Sequence, residues 1–140
     1  MPIIEEKLAH GGEVIFSPNG ISMLPTLKPG VDTAVLVAAP SKLKKYDIAL
    51  FRKKNGQYVL HRLIRTGDTY TFIGDGCFER EMDIEREDII ALCVARIRDG
   101  KRVRLDSLSA RAFARFWHAI RPLRRFGTRV TRKLRSLFTK

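Results

Sequence analysis

The stretch Asn55–Gly76, NGQYVLHRLIRTGDTYTFIGDG, decides the fold. Two runs rich in Val, Ile, Tyr, Phe and Thr, Gln57–Thr66 and Thr69–Ile73, are bounded by Asn55-Gly56, Gly67-Asp68 and Gly74-Asp75-Gly76. Such dipeptides tolerate the positive φ that tight hairpin turns require. Working outward, similar runs recur at Glu13–Ser17, Thr33–Ala38, Asp47–Lys53, Ile89–Arg98 and Arg102–Leu105, separated by Lys28-Pro29-Gly30 and Asp99-Gly100. Short strands with frequent turns and no interleaved helices predict a mainly β fold, an antiparallel barrel or sandwich. Residues 3–10 suggest one short helical turn ahead of it.

After Leu105 the pattern changes. Over Asp106–Arg125 apolar side chains fall at Leu108, Ala112, Phe113, Phe116, Trp117, Ile120 and Leu123, the rhythm of one helical face. Asp106, Ser107 and Ser109 are the candidate N-caps, and Pro122 is expected to kink or stop the helix. A second basic piece, Thr128–Thr139, repeats the character. Charge divides the chain at the same place: residues 1–95 hold 12 Lys/Arg against 13 Asp/Glu, residues 96–140 hold 15 against 2. The expected organisation is a β domain over 1–105 and a basic amphipathic helical tail over 106–140.

Three features of the β part bear on chemistry. Ser22 sits in Gly20-Ile-Ser-Met-Leu-Pro-Thr-Leu-Lys-Pro-Gly30, a segment whose prolines and glycines exclude regular structure. Period-two alternation puts His61 on one strand face with Val59 and Leu63, and Arg62 on the other with Leu60 and Ile64. Asp75, Glu79, Glu81 and Asp83 then supply carboxylates, although the acids of this segment also suit a solvated turn-rich loop. A nucleophilic hydroxyl needs a base within reach, and the base benefits from a group that orients it. Cys77 and Cys93 are too few for a disulfide framework and lack metal-ligand spacing.

Taken together, these segments resemble the signal peptidase family. Ser22-Met-Leu-Pro-Thr-Leu27 is similar to its nucleophile box. Gln57-Tyr-Val-Leu-His-Arg-Leu-Ile64 looks like its second box in the form where histidine replaces a lysine base. Tyr70-Thr-Phe-Ile-Gly-Asp-Gly76 resembles the Gly-Asp box that follows. The resemblance covers residues 14–98 and implies a serine endopeptidase of the Ser/His type, with Ser22 as nucleophile, His61 as general base and Asp75 as the orienting acid; Asp83 is the alternative. It implies no cofactor, and a peptide or protein substrate bound as an extended strand. Gly20 departs from the family, many of whose members place an oxyanion-binding hydroxyl there, so the backbone N–H of Ser22 is the candidate donor.

The family's N-terminal membrane anchor has no counterpart in this sequence. The start is polar, without the layout of a secretory signal, and no apolar run nears the roughly 18 residues of a spanning helix. The expected location is cytoplasmic or peripheral on the inner face of a membrane. For the tail two readings stand, attachment to an anionic membrane surface and docking of its apolar face on the β domain. Nucleic acid is not an expected partner, since no base-reading motif appears. The other function left open is a non-catalytic peptide-binding or membrane-surface adaptor on the same fold.

Overall fold

The structure is a computed structural model that describes residues 2–127. Helix α1 (Pro2–Ala9) precedes eight strands: β1 (Val14–Phe16), β2 (Asp32–Ala38), β3 (Ile48–Arg52), β4 (Tyr58–Arg65), β5 (Tyr70–Ile73), β6 (Arg80–Ile84), β7 (Ile89–Arg98) and β8 (Lys101–Arg104). Helix α2 (Leu108–Ala119) follows them. All strand pairs are antiparallel and form one sheet in the order β1-β2-β7-β3-β4-β5-β6, with β8 added to β7. The fold is mainly β, as the turn pattern predicts. The sheet does not close, because its ends β1 and β6 are not paired to each other; the expected barrel is therefore an open sheet.

The hairpin turns sit where the dipeptides place them. Asp99 and Gly100, at φ 52° and 75°, join β7 to β8, and Gly56 at φ 89° lies in the β3–β4 turn. The central strands are buried on both faces. In β3, Ile48 and Leu50 join one apolar cluster with Leu27, Leu36, Leu60 and Cys93, whereas Ala49 and Phe51 join another with Leu63, Phe72 and Ile89. Alternate side chains point to opposite faces, so a single strand serves both cores. Strand β6 escapes the sequence pattern because only Ile84 of its five residues is buried. It is an edge strand, and edges carry charged side chains.

Helix α2 starts with Ser107, whose Oγ accepts the Ala110 N–H at 3.2 Å. It breaks at Ile120, earlier than the expected end at Arg125, and helical geometry resumes over 121–127. Pro122 has no N–H for the His118 carbonyl, and its ring crowds that carbonyl. The helix lays Ala114 and His118 on the β domain, while Phe116 and Leu123 stay 59% and 71% exposed. Docking thus holds for one side of the helix only. The segment Thr128–Thr139 lies outside the described residues.

Phe51 is fully buried, stacked on Phe72 at 4.5 Å between centroids. Phe51→Ala is expected to cost about 3–5 kcal/mol in urea unfolding.

Candidate functional site

The serine loop is built from its own turns outward. Leu24 N–H bonds the Ile21 carbonyl at 3.1 Å and Leu27 N–H the Met23 carbonyl at 2.9 Å. Met23 and Leu27 plunge into the first core cluster, which leaves half-buried Ser22 at the surface of the turn. Gly20 adopts φ +82°, a left-handed conformation that side chains rarely take. The backbone thus favours glycine at the position where the resemblance calls for a hydroxyl.

Behind the loop lies the turn Gly74–Cys77. Gly76 N–H donates to the Ser22 carbonyl at 2.9 Å, and the Cys77 Sγ lies 3.8 Å from the same oxygen. A side chain at Gly74 would collide with the Ser22 carbonyl and come within 3.1 Å of His61 Nε2. At Gly76 it would meet the Ile21 carbonyl at 2.9 Å. Both glycines are dictated by this close approach.

His61 reaches the same place from β4, opposite Ala49. Its ring sits edge-on to Phe51 at 6.2 Å, and only 7% of the residue is exposed. Ser22 and His61 line one cavity of about 330 Å³, with Gly20, Met23, Lys53 and Glu81 among its walls. Nε2 is the nitrogen turned toward Gly74 and the serine loop. Burial lowers the His61 pKa, against the opposing pull of Glu81 and Asp75, so the imidazole is neutral at pH 7. Its Nδ1 is buried and has no hydrogen-bond partner among the described residues.

Asp75 is not the group that holds His61. Its Oδ1 accepts from Arg62 Nε and His118 Nε2, each at 2.8 Å; its Oδ2 accepts from Arg62 Nη2 at 2.8 Å and from the Thr26 hydroxyl. A carboxylate has about four lone-pair sites, and all four are taken. Asp83 does not serve either. It is exposed on β6 at φ 59° and borders a different cavity with Lys53 and Lys54. The acid that shares the His61 cavity is Glu81, paired with Lys53 at 3.4 Å. The register Leu63–Phe72–Glu81 across β4, β5 and β6 puts Glu81 on the His61 face. That register could be read only once β6 was known to be a strand.

The hub around Asp75 extends to α2. Burial pushes the Asp75 pKa up, but the hydrogen bonds from His118 and Arg62 and the Arg62 charge outweigh it and hold the carboxyl well below the usual range. The Arg121 guanidinium, which can only donate, bonds His118 Nδ1. Nδ1 is thus the acceptor and Nε2 carries the proton toward Asp75, a neutral imidazole, in line with burial lowering the His118 pKa. Trp117 Nε1 donates to the Asp75 carbonyl at 2.6 Å, and Arg124 Nη1 to the same oxygen at 3.2 Å. His118 did not announce this in the sequence, since it lies off the apolar stripe to which Trp117 belongs.

Cys77 and Cys93 are both free thiols. Burial pushes Cys93 up to about 12, so it is an inert core residue. No group of acids, histidines and cysteines among the described residues is arranged to hold a metal ion. Likewise, none of the described helices is long and apolar enough to cross a membrane. No protein-family model, curated protein or solved structure matches the chain.

The hub gives a pH signature. His61 and His118 have lowered folded pKa values, so stability falls as pH drops below about 6.5, where the unfolded chain binds protons first. Asp75, depressed by its partners, contributes above about pH 4 and loses that contribution on further acidification. Urea unfolding between pH 7.5 and 3 should show both declines. Asp75→Asn should shrink the second, leaving the part that Asp32 and its Arg98 partner contribute, and cost about 3–5 kcal/mol at neutral pH.

Proposed function

We propose that the chain is a serine peptidase of the signal-peptidase type, in which Ser22 is the nucleophile and His61 the general base. The observation that carries this reading is their shared cavity, with His61 Nε2 turned toward the serine loop. The Ser22 Oγ attacks a peptide carbonyl while its proton passes to Nε2. The imidazolium then protonates the leaving amine, giving an acyl-enzyme. His61 next takes a proton from water, which attacks the ester and releases a carboxylic acid and the free serine. A lowered pKa keeps the base unprotonated at neutral pH. The Ser22 N–H is the candidate oxyanion donor.

An extended substrate has a strand to pair with. Strand β1 ends the sheet, and its last residue, Phe16, lies in the cavity wall; an added strand at that edge would lead its backbone toward Ser22. The exposed Phe116, Leu123 and Phe126 beside the arginines of the tail support peripheral contact with an anionic membrane surface. The second reading, a peptide-binding adaptor without catalysis, draws on one fact: His61 Nδ1 has no carboxylate partner among the described residues.

A fluorophosphonate probe and a panel of peptides with small residues before the scissile bond separate the two. Wild type should become labelled at Ser22 and cleave, and Ser22→Ala or His61→Ala should lose about 10⁴-fold or more in kcat/KM with the fold retained. The acid limb of kcat/KM should fall off with an apparent pKa below about 6.5. Cleavage by either variant at the wild-type rate would end the peptidase reading, and peptide binding without labelling or cleavage would favour the adaptor.

A further inference from the structure

A second cavity, about 380 Å³, opens between the β7–β8 hairpin, the first turn of α2 and the back of the serine loop. Arg62, Arg96, Arg98 and Arg104 line it, with Ser107 and Phe113. Three of these guanidinium groups have acidic partners: Arg62 with Asp75, Arg98 with Asp32 and Arg104 with Asp106. Arg96 differs. Its Nη1 donates to the Thr26 carbonyl at 2.7 Å, while its Nε is shielded from solvent and meets no acceptor among the described residues. The Thr26 carbonyl is the one acceptor that the described residues give Arg96, so its charge meets no acidic partner among them at the cavity wall, and an oxyanion in the cavity would supply a counter-charge.

We propose that this cavity binds a phosphate-type oxyanion, with Arg96 as the principal ligand and Arg104 and the Ser107 hydroxyl beside it. Guanidinium groups reach the cavity wall from β7 and β8, and their planar forks of N–H donors match the oxygens of a phosphate. The first turn of α2 adds the positive end of its dipole. At the mouth, Val103 and Phe113 are 40% and 43% exposed and offer an apolar flank to whatever carries the phosphate. A free phosphate and a phospholipid headgroup share this chemistry. The site stands apart from the Ser22–His61 cavity and does not rest on the peptidase reading.

The test uses the full chain at constant ionic strength, with inorganic phosphate followed by thermal unfolding and ³¹P line broadening. Vesicles of phosphatidylglycerol, with phosphatidylcholine for comparison, are followed by co-sedimentation. Arg96→Gln is compared with Arg102→Gln, an equal change of charge at a residue outside the cavity that pairs with Glu13. Saturable stabilisation by phosphate, weakened about tenfold or more in Arg96→Gln but not in Arg102→Gln, is the expected result. Binding to phosphatidylglycerol alone, with the same dependence on Arg96, identifies a lipid headgroup as the source. If Arg96→Gln proves misfolded by circular dichroism, Arg104→Gln decides. Its side chain is 73% exposed, so the fold survives the change, and weakened binding supports the site where unchanged binding overturns it. No response to either probe, or equal losses in Arg96→Gln and Arg102→Gln, also overturns it.

Discussion

The buried Arg62–Asp75 pair is the constraint on which the rest of the site depends. Both side chains are almost wholly removed from water, at 2% and 1% exposure, and two parallel N–H···O bonds join them. Ion pairs this deep add little net stability over a well-packed apolar pair, because desolvation offsets much of the attraction. Their value here lies in what else they hold. Through the Thr26 hydroxyl the carboxylate fixes the serine loop, through Arg62 it fixes β4, and through His118 it fixes α2. Arg62 also donates to the carbonyl of Tyr46, a bulky residue at φ 77°, so the pair anchors strained backbone as well.

This arrangement separates two tasks that the order of motifs along the chain combines. Asp75 sets where Ser22 stands, and the environment of His61 sets whether the imidazole is charged. Arg62 and His61 act from opposite faces of β4: Arg62 turns toward Asp75, while His61 turns toward Phe51 and the second core cluster. Gly74 and Gly76 let the acid turn lie directly against the serine loop. The loop and the turn are therefore one packed unit, and the position of Ser22 is set as much by residues 74–77 as by its own prolines.

Much of this was legible in the sequence. Paired turn residues located seven of the eight strands, since Asn-Gly and Asp-Gly carry local information about backbone φ. The alternation around His61 assigned the faces of β4 correctly: Leu60 lies in one cluster, and Val59 and Leu63 pack with the other. What stayed hidden depends on tertiary partners. Strand β6 reads as solvated loop because it is exposed on most of its length, and without it Glu81 cannot be placed near His61. Asp75 looked like an orienting acid from order alone, whereas saturation of its lone pairs is a property of three distant segments. The docked side of α2 follows from Trp117 and His118 finding a carbonyl and a carboxylate, while Phe116 and Leu123 of the apolar stripe stay exposed.

One of those contacts gives the protein an internal gauge. Trp117 is the only tryptophan in the chain, and its indole N–H is held by the Asp75 carbonyl. Arg124 lies over its ring at 3.9 Å, and Phe113 stacks beside it at 5.9 Å. An indole hydrogen-bonded and flanked by a cation emits differently from one released into water. Intrinsic fluorescence of the unlabelled chain therefore reports the seating of α2 on the acid turn.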